Sequence, residues 1–311
     1  MKKALIGFWV ILQICGVGFG AHAQSTNDWQ NNDLRGKVKL IHQKVYKSYK
    51  KTGKVKLIRM KMEQKTLFNE LGHIQESKHR YLGYGGNGKW KTTKYLYNKR
   101  KQCIGFKKYN GDKLTQSCMY KLKRGHIIAK KYFDEKEQLL GTTSYQLNKK
   151  GLVLEEKAVK ADGTVLQKTA YKYDRKKRVI NIKFWQKGEF KHETKKSYPS
   201  KSQSISKKFD KEGKLVNVYK EEEKTTTEGK VVVEKKLDMA QKLIRKSVYK
   251  YNSKGEKELT RMYNADGSEQ KYNYMRYAYK YDKQDNWVRQ IEFLANGNSL
   301  DVSFREITYF E

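Results

Sequence analysis

The segment Tyr277-Ala-Tyr-Lys-Tyr-Asp282-Lys-Gln-Asp-Asn286-Trp287 contains the clearest indication of the fold class. Up to Tyr281, aromatic residues occupy every second position, which is typical of a β-strand with one buried face. Asp282 then begins a tight turn, because an Asp or Asn side chain accepts hydrogen bonds from the backbone N–H groups that follow it. The segment therefore predicts a strand that ends in a hairpin turn.

The same pattern recurs along the chain, as an apolar or aromatic residue, then Asp or Asn, and often Gly three residues later. Shorter Gly-containing turns fall between these copies, so that turns come about every 12–15 residues and leave strands of about 6–10 residues. We predict an all-β fold, a long antiparallel meander of hairpins with about 16–20 strands that forms a coiled or curled repeat sheet. Residues 238–246 are the one short helix candidate, and residues 197–204 predict an irregular connection. The copies with Gly are Asn69–Gly72, Asn148–Gly151, Asp210–Gly213 and Asn252–Gly255, and those without it begin at Asn98, Asp134, Asp174 and Asp282.

These turns resemble the repeats of bacterial exported proteins with YD (Rhs-type) repeats, in a degenerate form. Tyr281-Asp282-Lys-Gln-Asp-Asn286 matches the Tyr-Asp-x-x-Gly-Asn pattern of that family, with Asp285 in place of Gly. The resemblance covers roughly residues 45 to 300. It implies short antiparallel strands coiled into a continuous ribbon and an exported or surface location, and it implies no catalytic residue.

The first 23 residues have the features of a secretory signal. Lys2 and Lys3 precede an apolar run from residue 4 to residue 19, and Ala21-His22-Ala23 fits a small-x-small cleavage site. Two alternatives stay open, an uncleaved anchor and a lipoprotein acylated at Cys15. We expect an exported protein that is periplasmic, outer-membrane associated or extracellular, with no membrane-spanning segment after cleavage.

Two cysteines remain after signal removal, Cys103 and Cys118, and an exported protein can form disulfides. Asn110-Gly111 lies between them and is a strong hairpin signal. If these two residues form the loop, Cys103 lies opposite Cys118 at a separation that a disulfide can bridge. We therefore predict a disulfide, with two separate buried thiols as the alternative.

The chain carries 69 Lys+Arg against 33 Asp+Glu, a net charge of +36. The charged content of 33% excludes a polytopic helical membrane protein, and the aromatic content of 13% argues against a disordered chain. Residues 254–311 hold nine basic and ten acidic residues, so the whole excess lies before them. We divide the mature chain into a basic β-repeat region, 24–253, and a neutral Tyr-rich C-terminal β-repeat segment, 254–311.

Positive charge is densest between residues 89 and 131, which hold fourteen basic residues and one acid, Asp112. In the predicted hairpin register, Arg100 faces Lys121 and Lys108 faces Lys113, and like charges opposite each other are destabilising. One interpretation is a solvated surface that keeps the protein soluble. The other is a polyanion site formed by Arg100, Lys108, Lys113 and Lys121, whose ligand neutralises the repulsion.

Motifs for catalysis or cofactor binding are weak. Residues 83–90 resemble a phosphate-binding loop, but Trp90 replaces the expected Ser or Thr and a strand pattern follows. The histidines are scattered without the spacing of metal ligands, and Lys on both faces of the predicted strands argues against lipid-facing strands. We expect no catalytic, cofactor-binding or metal-binding residue and no enzyme activity.

The sequence therefore predicts a non-enzymatic exported β-repeat protein with a structural or protein-contact role at the cell envelope. The alternative is a diffuse polyanion binder that uses its Lys-rich face. Its ligand would be lipopolysaccharide, an anionic glycan or extracellular DNA without base-specific recognition, because Lys is a point charge and base reading favours Arg, Asn and Gln. The partner would be an envelope polyanion in one case and an envelope protein in the other.

Overall fold

The structure is a computed structural model and describes residues 28–83 and 85–311. The predicted signal segment 1–23, with Cys15, lies outside the described residues. A four-residue helix, α1 (Asp28–Asn31), precedes twenty β-strands, and a 3-10 helix (Lys271–Asn273) lies between β17 and β18. The strands are β1 (Val38–Lys51), β2 (Lys54–Phe68), β3 (Ile74–Tyr81), β4 (Lys91–Tyr97), β5 (Cys103–Asn110), β6 (Lys113–Lys123), β7 (His126–Phe133), β8 (Leu139–Leu147), β9 (Val153–Lys160), β10 (Val165–Tyr173), β11 (Val179–Gln186), β12 (Glu189–Ser197), β13 (Gln203–Phe209), β14 (Leu215–Thr226), β15 (Gly229–Leu237), β16 (Leu243–Asn252), β17 (Lys257–Tyr263), β18 (Met275–Tyr281), β19 (Trp287–Leu294) and β20 (Ser299–Tyr309).

Each strand pairs antiparallel with the next, and β20 pairs with β1, so the sheet closes into a barrel. The predicted all-β antiparallel meander is confirmed, whereas the prediction of a coiled or curled sheet missed the closure. Closure rests on contacts between Val38–Lys47 and Asp301–Tyr309, which local sequence patterns do not reveal. Twenty strands spaced about 4.8 Å apart give a circumference of roughly 96 Å before strand tilt is included.

The Asx turns have the predicted chemistry. In the turn after β4, the Asn98 Oδ1 atom accepts hydrogen bonds from the backbone N–H groups of Arg100 and Gln102, both at 3.0 Å. The turn after β16 repeats this arrangement around Asn252, with distances of 3.0 and 2.9 Å. The fourth turn residue has positive φ whether it is Gly72 at 79° or Lys101 at 62°. The copies without Gly are therefore real turns that hold an L-residue in the left-handed region.

The one short helix candidate, residues 238–246, is not a helix. Asp238 begins another Asx turn, in which its Oδ1 atom accepts a hydrogen bond of 2.8 Å from the Lys242 N–H, and β16 follows from Leu243. The Asp at the start of the segment therefore acts as a turn residue rather than as a helix cap. The irregular connection predicted near residues 197–204 is present between β12 and β13.

The predicted Cys103–Cys118 disulfide is absent, and both residues are reduced. The two-residue loop is residues 111–112, since Asn110 pairs with Lys113, and a bulge then shifts the β5–β6 register again. Cys118 lies opposite Phe106, while Cys103 pairs with Tyr97 of β4. The prediction failed because the turn residues and the bulge together move the register by three residues.

The barrel has two rims. Odd-numbered strands run away from the rim where β1 begins, which we call the N-terminal rim, and the connections that follow them form the far rim. At the N-terminal rim, Trp29 of α1 donates a hydrogen bond from Nε1 to the Val38 carbonyl at 2.7 Å. Trp29, Leu34, Val38, Ile41 and Phe68 form the hydrophobic cluster there. Among the described residues, no helix is long and apolar enough to cross a membrane.

The two faces of the sheet differ in burial. Following the register around the barrel places most buried polar residues on one face, and on that face the charge of Glu256, in the connection before β17, acts on Arg305 of β20. Side chains converge on the concave side of a closed sheet, so we assign this face as the inner face and the alternate residues as the outer face. Buried inner-face residues are Thr66, Gln116, Cys118, Thr143, Thr169, Asn217, Ser247, Thr260 and Ser303.

The sheet closes where β20 pairs with β1, and we call the four strands β20, β1, β2 and β3 the seam. Ion pairs link neighbouring strands of the seam. The buried Glu63 carboxylate accepts hydrogen bonds from His42 Nε2 at 2.6 Å and from Arg80 Nε at 2.8 Å. His42 Nδ1 lies 3.4 Å from Glu306 on β20. Burial opposes the ionisation of Glu63, but the hydrogen bonds and charges of His42 and Arg80 outweigh it and lower the pKa of Glu63.

Candidate polyanion interface

The four residues predicted to form a polyanion site do not share one face. Arg100 lies in the turn after β4, and Lys113 begins β6 at the far rim. Lys108 is on the inner face, where it pairs with Gln116 and its Nζ atom lies 5.0 Å from the centroid of the Phe106 ring. Lys121 pairs with Ala129 and alternates with Cys118, which places it on the outer face. The predicted pairs Arg100–Lys121 and Lys108–Lys113 are wrong, because they depended on the same register as the disulfide.

The register instead brings lysines together on the outer face. Directly opposed residues lie about 4.5–5.5 Å apart between Cβ atoms, so two like charges in such positions repel each other. Pairs of this kind occur around most of the outer face, including the basic stretch 89–131, where Lys94 is opposite Lys107. Outside the β1–β2 hairpin, the opposed basic pairs of the outer face are Lys65–Lys78, Lys94–Lys107, Lys157–Lys168, Lys195–Lys207, Lys220–Lys235, Lys235–Lys246 and Lys280–Arg289.

Aromatic rings relieve part of this repulsion. In most opposed pairs, one cation lies over the ring of a neighbouring aromatic residue, where the negative face of the ring attracts it. Lys168 Nζ is 4.2 Å from the ring centroid of Trp185, and Lys195 Nζ is 5.1 Å from that of Phe209. The abundant aromatic residues of the chain therefore serve as partners for lysine as well as for packing.

Three lysines form a continuous row across β14, β15 and β16, with Lys220 opposite Lys235 and Lys235 opposite Lys246. Lys246 Nζ lies 5.0 Å from the ring centroid of Tyr263. Within the described residues, neither Lys220 nor Lys235 has a carboxylate within 4.0 Å or an aromatic ring beneath its ammonium group. Both are exposed, and we call Lys220, Lys235 and Lys246 the lysine row.

Sequence reasoning missed the lysine row. These residues are 15 and 11 positions apart in the chain, and their alignment depends on the lengths of two hairpins. The available signal was the high Lys content of residues 207–250, but that content gave no reason to prefer these three residues.

The inner face has a different electrostatic character. Burial raises the pKa of Glu156 despite the nearby charge of Lys130 and a hydrogen bond from Tyr145, and burial likewise raises the pKa of Glu292. Burial lowers the pKa of Arg305 to about 10, even though Glu256 opposes this change. Arg305 stacks on Trp287, with its guanidinium carbon 3.4 Å from the ring centroid, and donates a 3.0 Å hydrogen bond to Gln43.

The predicted absence of catalytic and metal-binding residues remains a prediction. Within the described residues, no group of three His, Cys, Asp or Glu side chains is placed to hold a metal ion. The segment after Gly88 forms strand β4, as the sequence predicted, so the helix that a phosphate-binding loop requires does not follow it. An open depression of about 330 Å³ beside Lys187 and Lys191 holds an ion pair of Lys191 with Glu189.

Comparisons with known proteins place the chain in no family. No protein-family model and no curated protein matches it. A porin-like protein from Bacteroides uniformis has 10% sequence identity and a TM-score of 0.34, over 87% of this chain and 98% of that one. A porin-like protein from Bacteroides vulgatus has 10% identity and a TM-score of 0.28, over 86% and 97% of the two chains.

The Tc holotoxin pore of Photorhabdus luminescens has 10% identity and a TM-score of 0.25, with coverage of 80% of this chain and 16% of that one. This chain therefore spans a small part of the toxin chain. All three TM-scores are below 0.5, so these structures do not assign this chain to a fold family.

Proposed function

We propose that this chain is a non-enzymatic, exported β-barrel protein of the cell envelope that binds an anionic polymer through its Lys-rich outer face. The observation that supports this function is the set of directly opposed lysines, and above all the lysine row. Unpaired like charges at this spacing cost stability, and a bound polyanion removes that cost.

The role that the sequence predicted first, contact with an envelope protein through the sheet face or its edges, is the second candidate function, and strand pairing leaves few edges for it. Each of the twenty strands has a neighbour on both sides over at least part of its length, so the edges that strand addition could use are short segments, such as residues 48–51 and 54–60. The resemblance to YD-repeat proteins supports an exported location within this proposal, as do the signal-like residues 1–23 that lie outside the described structure.

Heparin is a suitable probe, because it is a flexible polymer with dense negative charge. We expect the variant Lys220→Gln/Lys235→Gln/Lys246→Gln to bind heparin about tenfold more weakly than the unmodified protein and with a shallower dependence on salt. The matched control is Lys136→Gln/Lys149→Gln/Lys176→Gln, which removes the same charge from three separate turns. A third variant, with Arg100, Lys108, Lys113 and Lys121 all changed to Gln, tests the residues predicted from sequence.

The outcomes separate the interpretations. A selective loss in the lysine-row variant supports a site on β14–β16, whereas a selective loss in the four-residue variant moves the site to residues 89–131. Equal losses in all variants mean that total charge alone attracts heparin and overturn the proposed site. Retention that does not respond to salt overturns polyanion binding.

A further inference from the structure

The hairpin of β1 and β2 projects beyond the far rim of the barrel. The pairing of β1 with β20 ends at Lys47, and the pairing of β2 with β3 ends at Met62. Residues 48–51 therefore pair only with residues 54–57, while Arg59 and Met60 pair with Lys47 and Tyr46 at the base of the hairpin, and residues 48–51 and 54–60 have no strand on their other side. We call residues 48–60 the projecting hairpin; its strands reach about 15 Å past their neighbours, given a rise of about 3.3 Å per residue.

The projecting hairpin combines positive charge with exposed aliphatic side chains. It holds five basic residues and no Asp or Glu. Leu57 is 45% exposed and Ile58 is 53% exposed, although β-strand residues of this kind are normally buried. Ile58 is the extra residue of a bulge, and so it has no opposite residue in β1. This composition is that of a cationic amphipathic element.

Exposed apolar residues are concentrated at the same rim. Tyr81 ends β3 beside the projecting hairpin and Leu82 follows it, and Tyr272 is 92% exposed in the connection between β17 and β18. At the N-terminal rim, the corresponding exposed residues of the described chain are Leu71 and Leu154. The exposed large hydrophobic residues at the far rim are Tyr49, Leu57, Ile58, Tyr81, Leu82, Leu139, Val216, Met239, Ile244 and Tyr272.

We propose that the far rim is a docking surface for an anionic lipid bilayer and that the projecting hairpin inserts into the headgroup region. Basic side chains attract anionic headgroups, while aliphatic and aromatic side chains gain free energy by leaving water for the acyl boundary. A soluble polyanion satisfies the charges but leaves Leu57 and Ile58 in water. A protein partner needs a shaped complement, whereas a bilayer accepts residues spread around a rim. This surface is separate from the lysine row and does not depend on it.

The test uses the full chain and vesicles of phosphatidylcholine and phosphatidylglycerol in equal parts, with pure phosphatidylcholine vesicles as comparison. We expect Leu57→Ser/Ile58→Ser to lower partitioning onto the mixed vesicles by about tenfold or more, because it removes the apolar contribution and leaves every charge. The matched control, Leu71→Ser/Leu154→Ser, removes two exposed leucines from the opposite rim and should partition as the unmodified protein does. Heparin retention of both variants should be unchanged.

A second measurement reports insertion directly. In the variant Ile58→Trp, added fluorescence should shift to shorter wavelength on mixed vesicles, while Leu71→Trp should show no such shift. The proposal is overturned if the two serine variants partition equally, if pure phosphatidylcholine binds as well as the mixture, or if Ile58→Trp shows no shift. Failure here with selective loss of heparin binding in the lysine-row variant leaves the proposed function in place.

Discussion

The fourth residue of each Asx turn has a positive φ, a backbone conformation that favours Gly, and several of these turns have another residue there. Gly occupies it in four turns, but Lys101, Glu137, Lys177, Gln241 and Asp285 occupy it in others, with φ between 61° and 64°. An L-residue in the left-handed region costs about 1–2 kcal/mol, and Gly avoids this cost at the expense of greater freedom in the unfolded chain. These positions are therefore local sites of strain in the repeat.

Lys177→Gly should stabilise the protein. Lys177 has φ of 64° and is exposed, so Gly relieves the backbone without removing a buried contact. We expect the free energy of unfolding to rise by about 0.5–1 kcal/mol, measured by urea denaturation.

Lys176→Gly is the matched control, because it removes the same charge from the same turn at a residue without positive φ. It should lower the free energy of unfolding by a similar small amount. If both substitutions lower it, the turn is not strained at its fourth position.

At the scale of strands and hairpins, two features hold the register: hydrogen bonds from tyrosine hydroxyl groups, and glycines at which the backbones of paired strands lie close together. Tyr173 near the end of β10 donates a 2.8 Å hydrogen bond to the carbonyl of Val153 at the start of β9. Tyr97, the last residue of β4, makes the equivalent bond to the carbonyl of Ile74 at the start of β3. Each bond joins the two ends of a hairpin, so the aromatic residue before the turn has a role beyond packing.

Gly141→Ala should disrupt the β8–β9 hairpin. A Cβ atom added at Gly141 would lie 2.4 Å from the Val159 carbonyl oxygen, which is a backbone atom of the paired strand. The two strands must separate to accommodate it, and overpacking of this kind costs about 1–3 kcal/mol. The expected result is a fall of that size in the free energy of unfolding by urea.

Gly163→Ala provides the comparison, since its added Cβ would meet no atom within 4 Å but the residue has φ of 85°. Its cost should arise from backbone strain alone, about 1 kcal/mol. Hydrogen exchange separates the two effects: Gly141→Ala should expose amides along β8 and β9, and Gly163→Ala should affect the turn. Equal exchange in both variants would contradict the close approach.

At the scale of the whole molecule, the seam determines whether the sheet is closed. The carboxylate of Glu63 on β2 is bound by both His42 of β1 and Arg80 of β3, and these contacts lower the pKa of Glu63. A lowered pKa means that the folded state favours the ionised form, so this contribution is present above the unfolded value of about 4.3. It is lost as the pH falls through the lower value of the folded state.

Glu63→Gln should therefore destabilise the protein in a pH-dependent way. We expect the free energy of unfolding to fall by about 2–3 kcal/mol at neutral pH, because His42 and Arg80 lose their shared carboxylate. The difference from the unmodified protein should shrink toward zero as the pH falls below about 4. Urea denaturation at several pH values measures both quantities.

Glu212→Gln is the control for this experiment, since Glu212 forms an exposed pair with Lys211 at 3.3 Å. Exposed pairs contribute about 0–1 kcal/mol, so its effect should be small at every pH. A loss in Glu63→Gln that persists unchanged in acid would show that shape rather than charge at residue 63 holds the seam.

The local features of this protein follow from its sequence. Alternating aromatic residues and Asp or Asn turns specify strands and hairpins, because side-chain hydrogen bonds to the next few N–H groups act within five residues. That is why the all-β meander and its turns, including copies without Gly, were predictable. The excess of lysine was equally visible, but it indicates a basic surface and not a site.

Tertiary structure decided the register, the closure and the grouping of charges. A bulge in β5–β6 and a loop shifted by one residue separated Cys103 from Cys118 and Lys108 from Lys113. Pairing of β1 with β20 joins residues more than 250 positions apart, so no local pattern encodes it. The register, the closure and the grouping of charges each depend on the loop lengths and bulges of many hairpins. A register shift of one residue moves every side chain of a strand to the other face of the sheet.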